Sequence, residues 1–523
     1  MKKNLARHIS ALTILAALAV PVQLASQNKA KQDHDHQPHH YQLVDLGSTF
    51  GGPQSYFVPG SGLDFPGSSV LNKGGTVAGF ADTSMPEPFP AYGFTGDGYV
   101  AHAFEAGISG VLTDLGALPG GGSSAPIWIG ANGLIAGVSE NGQTDPLYAG
   151  FPEMHAVLWQ QGQITDLGTL PEGGYQSEAN AVNSAGQVVG SALNTIPDAN
   201  SMAAANFWYF DLPYGYQQRA FLWDKEMGMQ DLGTLPGGTD AQALLVNERG
   251  QVVGLSYTSS APGACFAVTS GAFIWDKKNG MRDLGGFGGT CTAVAALNNQ
   301  GQAVGQSLRT GDQSAAAYLW ENGSIHELRG SLGGSQTGAI ALNEQGKVVG
   351  FGNLRGDNTF HATLWKTVES ITDLGVVGAD LCSYAAAINA KMQVVGASTP
   401  ACDDFDDVAR AFLWENGSLF DLNSLIPPAS DLYLQFTYAI NDSGEIAGTG
   451  VDASGNQHAF LLIPCDENHP GIEGCDYSMV EASDIASRPS PSIGSAVNRE
   501  LSSLLMRRIS RNRFAGRALE AKD

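Results

Sequence analysis

Residues Thr290–Gly334 read TCTAVAALNNQGQAVGQSLRTGDQSAAAYLWENGSIHELRGSLGG. The stretch divides into four short β-like segments. Ala293–Asn298 and Gln302–Ser307 flank an Asn-x-x-Gly turn, while Ala316–Glu321 and Ser324–Leu328 flank Asn322-Gly323. Asn-Gly is a strong hairpin dipeptide because both central residues of its turn must accept positive φ. Gly330–Gly334 then leads into another copy of the pattern.

Eight copies are present. The glycine of the second segment recurs at Gly79, Gly137, Gly190, Gly254, Gly305, Gly350, Gly396 and Gly448, 45 to 64 residues apart. That is the range of a four-stranded propeller blade with its loops. Seven residues before it stands Asn72, Asn183, Asn247, Asn298, Asn343, Asn389 or Asn441, with Gly130 the exception; four before it stands Gly, except at Met392. Asn bonds backbone two residues on and Gly supplies a left-handed position, so the pair reads as the closure of a bulged hairpin. The third segment ends at Trp159, Trp223, Trp275, Trp320, Trp365 or Trp414, with Ala106 and Leu462 in the end copies. A tryptophan at one phase of a repeated strand predicts packing between neighbouring sheets. The fourth segment carries Asp-Leu-Gly at Asp45, Asp114, Asp166, Asp231, Asp283 and Asp373, with Glu327 and Asp421 as variants. This carboxylate is expected to accept N–H groups from the glycine-rich link that follows.

The ends are out of phase. The last copy stops after its third segment, His458–Ile463, whereas Tyr41–Gly47 is a lone Asp-Leu-Gly segment. Pairing the two gives an all-β, eight-bladed β-propeller of four-stranded antiparallel blades over residues 41–464, closed by the N-terminal strand, which removes exposed edges. An open β-solenoid is the runner-up.

Composition agrees: 67 glycines in 523 residues suit short strands and tight turns. Residues 1–25 read as a secretory signal, with Lys2, Lys3 and Arg7 before the apolar run Ala11–Val20 and cleavage after either Ala19 or Ala25. Its removal makes the net charge of −24 more negative by three. So acidic a surface repels phosphate backbones, which argues against a nucleic-acid partner. No later segment is apolar enough for a transmembrane span. The expected location is extracellular, cell-surface or periplasmic, and six cysteines suit that oxidising setting.

The recurrent AFLW-x-G-x-x-x-DLGTLPGG and N-x-x-GQVVG signatures resemble the HAF repeats of bacterial probable extracellular proteins. The resemblance covers residues 41–464 and implies secretion and a β-rich repeat fold. It brings no activity and no catalytic residues.

In a propeller meander the loops between second and third strands share a face with the links between blades. Here those loops are long in the first four copies and short in the last four. The longest carries Phe207, Trp208, Tyr209, Phe210, Tyr214 and Tyr216; the first adds Phe89, Tyr92, Phe94 and Tyr99, and the second Tyr148 and Phe151. Clustered aromatics on such loops suit stacking on sugar rings or anchoring a protein; the alternative is that the loops fold down over their own blades. Spacing pairs Cys265 with Cys291 and Cys382 with Cys402 on that face, with Cys465–Cys475 closing an extension over residues 465–482. No cofactor is expected. The metal content is open: His34, His36, His39 and His40, in a polar segment over 26–40, and the acidic run Asp403, Asp404, Asp406, Asp407 are weak candidates. Residues 483–523 read as a linker and a basic, helix-capable tail whose Arg507, Arg508, Arg511 and Arg513 suit surface attachment. No nucleophile elbow, zinc helix, P-loop or dinucleotide fingerprint occurs. The leading expectation is a secreted, non-catalytic binding or scaffold propeller for a protein or glycan. A propeller hydrolase or lyase acting on extracellular polysaccharide is the alternative.

Overall fold

The computed structural model describes residues 38–47, 50–57, 69–89, 98–148, 150–171, 173–202, 215–266, 268–402 and 409–475. These residues form strands, joined by turns and by one 3-10 turn at Leu422–Ser424. The fifth repeat shows the plan. Gly288–Leu297, Ala303–Arg309, Ala315–Glu321 and Ser324–Glu327 form an antiparallel meander. Asn298 closes its first turn: its Oδ1 accepts the N–H groups of Gln300 and Gln302, and Gly301 holds φ 82°. Asn322 and Gly323 both take positive φ in the second turn, as the dipeptide predicted.

Repeats one, two, three and seven each form a separate four-stranded sheet. The eighth takes its outer strand from the N-terminus. Tyr41–Asp45 lies antiparallel to Gln457–Pro464, Tyr41 facing Pro464 and Asp45 facing Phe460. Repeats four to six differ from the expectation of separate sheets. They form one 12-stranded sheet, within which single parallel bridges, Ser270 to Cys291 and Ala315 to Gln336, join successive meanders. The cause is strand length. Gly288–Leu297 and Gly333–Leu342 are 10 residues long against 6 for Ser177–Val182, so they start far enough back to touch the preceding third strand.

The bulge lies elsewhere than at the turn. The register shifts at Asn180, Leu244, Ala295, Ile340, Ala386 and Tyr438, inside the first strand and three residues ahead of the turn asparagine. Such a bulge bends the strand and adds twist where sheets crowd together.

Cores sit between neighbouring sheets. Trp159 of the second repeat is buried against Ala78, Ala103 and Leu115 of the first. Trp365 of the sixth is buried against Val304, Ala317 and Leu328 of the fifth. The recurrent tryptophan thus does the packing that its phase implied.

Two sets of hydrogen bonds tie each sheet to the next. The turn asparagines bond in series: Asn183 donates to the carbonyl of Asn247, Asn247 to Asn298, Asn298 to Asn343, Asn343 to Asn389 and Asn389 to Asn441. Asn441 then donates to Asn72, 369 residues away. The second set runs from third-strand N–H groups to hydroxyls on the next first strand, as in Ala156 to Ser177 and Ala362 to Ser383. Ala459 repeats it to Ser55 across 404 residues.

Candidate functional site

Of the residues expected to bind a ligand, Phe207, Trp208, Tyr209, Phe210, Tyr214 and Tyr92 lie outside the described residues, as do Phe94, the acidic run at 403–407, His34, His36 and the basic tail. Among the rest, Phe89 is half-buried and Tyr99 is 36% exposed. Tyr148 is 1% exposed, edge-on to Tyr216 at 5.6 Å, and packs with Phe151, Met154, Tyr56 and Ile127. Its ring and that of Phe151 form a second apolar layer over the first two sheets, and half-buried Tyr216 packs against it. The rim outside this layer exposes Met85, Tyr99 and Ile196.

The long loops begin as strand extensions. Beyond the common register, Pro86 faces Tyr99, Thr144 faces Pro152, Pro197 faces Tyr216 and Pro262 faces Val268. Each is then fastened by one polar residue just ahead of, or at the start of, the next sheet. The Ser123 hydroxyl donates to Glu87 and accepts the Ala101 N–H. Gln176 donates to Asp145 and to the Pro152 carbonyl, and accepts from Met154 N. Asp240 Oδ1 accepts from Met202 N and Gln218 N. Thr290 accepts from Ala264 N, beside the Cys265–Cys291 disulfide. Sequence reading missed these four residues; their signal is a polar side chain at one fixed place, the link.

Burial makes two of the acids unusual. Glu140 is 3% exposed and accepts the N–H groups of Gly122 and Ser123 at 3.0 and 3.2 Å. Loss of hydration, and then the charge of Glu87, push its carboxyl up to about 7 despite those bonds. Burial likewise pushes Asp240 up to about 6, against its backbone and Thr239 hydrogen bonds.

The Asp-Leu-Gly carboxylates behave as expected, and do more. Asp114, Asp166, Asp231, Asp283, Asp373 and Asp45 each accept the N–H of the glycine two residues on, at 2.7–2.8 Å. Five of them also hold a basic residue at the start of the third strand: His102, His155, Arg219, His361 and His458, at 2.8–3.1 Å. The basic residue that opens the third segment was legible in the sequence, but its partner needed the strand pairing. Burial disfavours charge on His458, yet the hydrogen bond and charge of Asp45 outweigh it and raise its pKa.

All three expected disulfides form: Cys265–Cys291 joins the fourth repeat's loop to the fifth sheet, Cys382–Cys402 lies within the seventh repeat, and Cys465–Cys475 closes the extension. Among the described residues no cluster of three or more His, Cys, Asp or Glu is placed to hold a metal. Among them too, no helix is long and apolar enough to cross a membrane.

The chain is a β-rich protein of antiparallel four-stranded meanders, and its solved structural neighbours are β-propellers. No protein-family model matches it, and no curated protein matches it. It is similar to the Pyrococcus horikoshii acylaminoacyl peptidase at 10% identity and a TM-score of 0.40, over 75% of this chain and 59% of that one. A similar likeness, at 10% identity and a TM-score of 0.39, links it to the β-propeller domain of the Trilobed protease from Pyrococcus furiosus, over 68% of this chain and 96% of that one. A third is to Porphyromonas gingivalis dipeptidyl peptidase 4, at 10% identity and a TM-score of 0.42, over 73% and 57%. The chain spans under two thirds of the first and third of these.

Proposed function

We propose that this is a secreted, eight-bladed β-propeller of the HAF-repeat kind, closed by its N-terminal strand, that binds a protein or glycan on its long-loop face. Closure is supported by the pairing of Tyr41–Asp45 with Gln457–Pro464 and by the seam bonds from Asn441 to Asn72 and Ala459 to Ser55. The disulfides and the signal-like N-terminus support an extracellular, cell-surface or periplasmic location, the basic tail serving as an attachment.

The observation that carries the binding reading is the fastening of four consecutive extended hairpins by Ser123, Gln176, Asp240 and Thr290. Fastened loops form one firm ledge, and a firm ledge binds at lower entropic cost than free loops. Apolar side chains at its rim, Met85, Tyr99 and Ile196, give it contact area. The test compares wild type with a Trp208→Ala, Tyr209→Ala double variant on a glycan array and in pull-downs from culture supernatant. Loss of one ligand class from the variant is expected; identical profiles would remove this site.

One observation favours the enzymatic alternative, a hydrolase or lyase of extracellular polysaccharide. Glu87 and Glu140 meet around Ser123, and Glu140 has the raised pKa of a general acid. Polymer cleavage lost in Glu140→Gln with binding retained would establish that reading; unchanged cleavage in the variant would dismiss it.

A further inference from the structure

Four repeats pair a histidine at the start of the third strand with the outer-strand carboxylate: His102 with Asp114, His155 with Asp166, His361 with Asp373 and His458 with Asp45. In the first three the partners stand 11 or 12 residues apart, so the hairpin between them keeps the outer strand in place whatever the side chains do. The fourth pair spans 413 residues. Its carboxylate lies on Tyr41–Asp45, a strand that no hairpin ties to Gln457–Pro464. Ladder bonds and side chains must supply the grip there.

His458 is also set more closely than the other three. A Cβ on Gly47, whose N–H bonds Asp45, would stand 2.6 Å from the His458 Nδ1, whereas a Cβ on Gly116, Gly168 or Gly375 would meet nothing within 4 Å. The chain leaving the closing strand therefore lies against the imidazole, an approach that glycine permits. His458 Nε2 is 3.9 Å from Asp452 Oδ2, in the turn at 452–456. The ring also hydrogen-bonds the Pro53 carbonyl, on Gly51–Tyr56 of the first sheet. His458 is thus faced by Asp45 on the closing strand, Asp452 on the turn, the Pro53 carbonyl across the seam and Gly450 on the second strand of its own sheet. Both charged neighbours are acids, and acids this near favour the imidazolium. Burial opposes that charge, but Asp45, Asp452 and the Pro53 carbonyl outweigh it and hold the pKa above the ordinary 6.5.

We propose that His458 is a proton-dependent clasp on the closing strand: as an imidazolium it grips Asp45 and Asp452 against the first sheet, and loss of its proton loosens Tyr41–Asp45 from Gln457–Pro464. This rests on the reading of Tyr41–Asp45 as the strand that closes the ring. The grip is complete below pH 6.5 and is lost as pH rises through the raised value. The same change at His102, His155 or His361 leaves a strand that its hairpin still holds. Release exposes one edge of Gln457–Pro464, and an unpaired edge can recruit another strand. Closure of the ring becomes a function of the surrounding pH, as histidine switches allow.

Hydrogen exchange of the full chain between about pH 5 and about pH 9, corrected for the chemical exchange rate, reads local opening of Tyr41–Asp45. Ser370–Gly375, the outer strand held by His361, is the reference in the same sample. A charge-assisted bond is about twice as strong as a neutral one, so opening of Tyr41–Asp45 should rise on the order of fivefold across the range, with Ser370–Gly375 unchanged. His458→Arg installs the residue that the third repeat carries as Arg219, and should hold the strand at every pH. His458→Gln should open at every pH as wild type does at the alkaline end. Asp452→Asn should move the midpoint down towards 6.5, and His361→Arg should leave the wild-type curve. A flat wild-type profile, an equal rise at Ser370–Gly375, or a wild-type curve in His458→Arg would overturn the clasp. Should His458→Arg not fold, an unmoved midpoint in Asp452→Asn overturns it instead. If Tyr41–Asp45 shows no protection at any pH, in wild type and in His458→Arg alike, the closing strand itself is lost and the clasp with it.

Discussion

The loops over the first four repeats and those over the last four rise from near-identical strands and solve opposite problems. A short connection satisfies its own backbone: Arg309 N bonds Ser314 O, Leu354 N bonds Thr359 O, and Asp452 N bonds Asn456 O. From the next sheet it takes at most a single bond, as from Phe360 N to Cys382 Sγ and from Gln457 N to Gln54 Oε1. A long connection carries more N–H and C=O groups than its own turn can pair, and groups buried without a partner are costly. The first half meets that need with side chains placed at the links: Ser123, Gln176, Asp240 and Thr290. The expense appears as acids held away from water, Glu140 and Asp240. A repeated fold can therefore carry a specialised face when the polar fittings sit in the links or at the outer ends of the strands.

The sharpest way to break this contrast is to hollow out the layer under the long loops. Tyr148→Ala removes a ring that is 1% exposed among Tyr56, Phe80, Phe151 and Met154. A cavity of that kind costs about 3–5 kcal/mol. Phe360→Ala, at a short loop, removes a half-buried ring that packs on Phe351 at 5.9 Å. There about 1–2 kcal/mol is expected, because water reaches part of the space. Urea unfolding of the two variants gives the comparison directly; equal losses would mean that the long loops add no packed layer of their own.

A second test reads the polar fittings through pH. In the folded chain Glu140 titrates at about 7, against an ordinary 4.5. The unfolded chain therefore gives up this proton first, and the native state loses stability as pH rises from about 4.5 to about 7. Above that range the penalty is complete, at about 3 kcal/mol. Glu140→Gln keeps an oxygen for Gly122 N and Ser123 N but cannot ionise. It should be more stable than wild type by up to that amount near pH 8, and show no gain near pH 4. A pH-independent gain in Glu140→Gln would detach the effect from ionisation.

How much of this was legible in the sequence divides along the same line. The strands, the asparagine turns, the packing tryptophans and the Asp-Leu-Gly carboxylates follow from local chemistry that recurs in most repeats, so phase alone exposes them, and phase also pairs Cys265 with Cys291 and Cys382 with Cys402. The links are not periodic in residue type: Ser123, Gln176, Asp240 and Thr290 do one job with four chemistries, and no repeat signature registers that. The His102–Asp114 and His458–Asp45 pairs were hidden differently, since each member repeats but their contact exists only once third and fourth strands pair. The aromatic loops were legible as composition and not as geometry. Composition lists Tyr148 and Tyr216 together with the other loop aromatics, whereas geometry separates them: Tyr148 is buried and Tyr216 packs half-buried against it. The merging of repeats four to six depended on strand starts at Gly288 and Gly333, where a glycine-rich link gives no boundary signal.

The smallest effect comes from the other half of the molecule, where one repeat departs from the turn rule without departing from its geometry. Gly250, Gly301 and Gly346 hold φ of 71°, 82° and 70° at the position that closes the first hairpin, and Met392 holds 67° in the seventh repeat. The bonds around it are the common ones: Asn389 Oδ1 accepts from Lys391 N and Gln393 N, and Met392 N bonds Asn389 O. Those bonds and the relay from Asn389 to Asn441 hold a side chain where only glycine rests without strain. Met392→Gly relieves that strain, at about 1–2 kcal/mol for a left-handed residue, and gives back up to about 1 kcal/mol in unfolded-state entropy and lost packing. A net gain of a few tenths to about 1 kcal/mol is therefore expected in urea unfolding, with Gly346→Ala losing about 1 kcal/mol in the mirror experiment. If Met392→Gly destabilises while Gly346→Ala is neutral, the turn conformation is set by packing of the methionine and not by the asparagine bonds, and the repeats are less alike than their backbones.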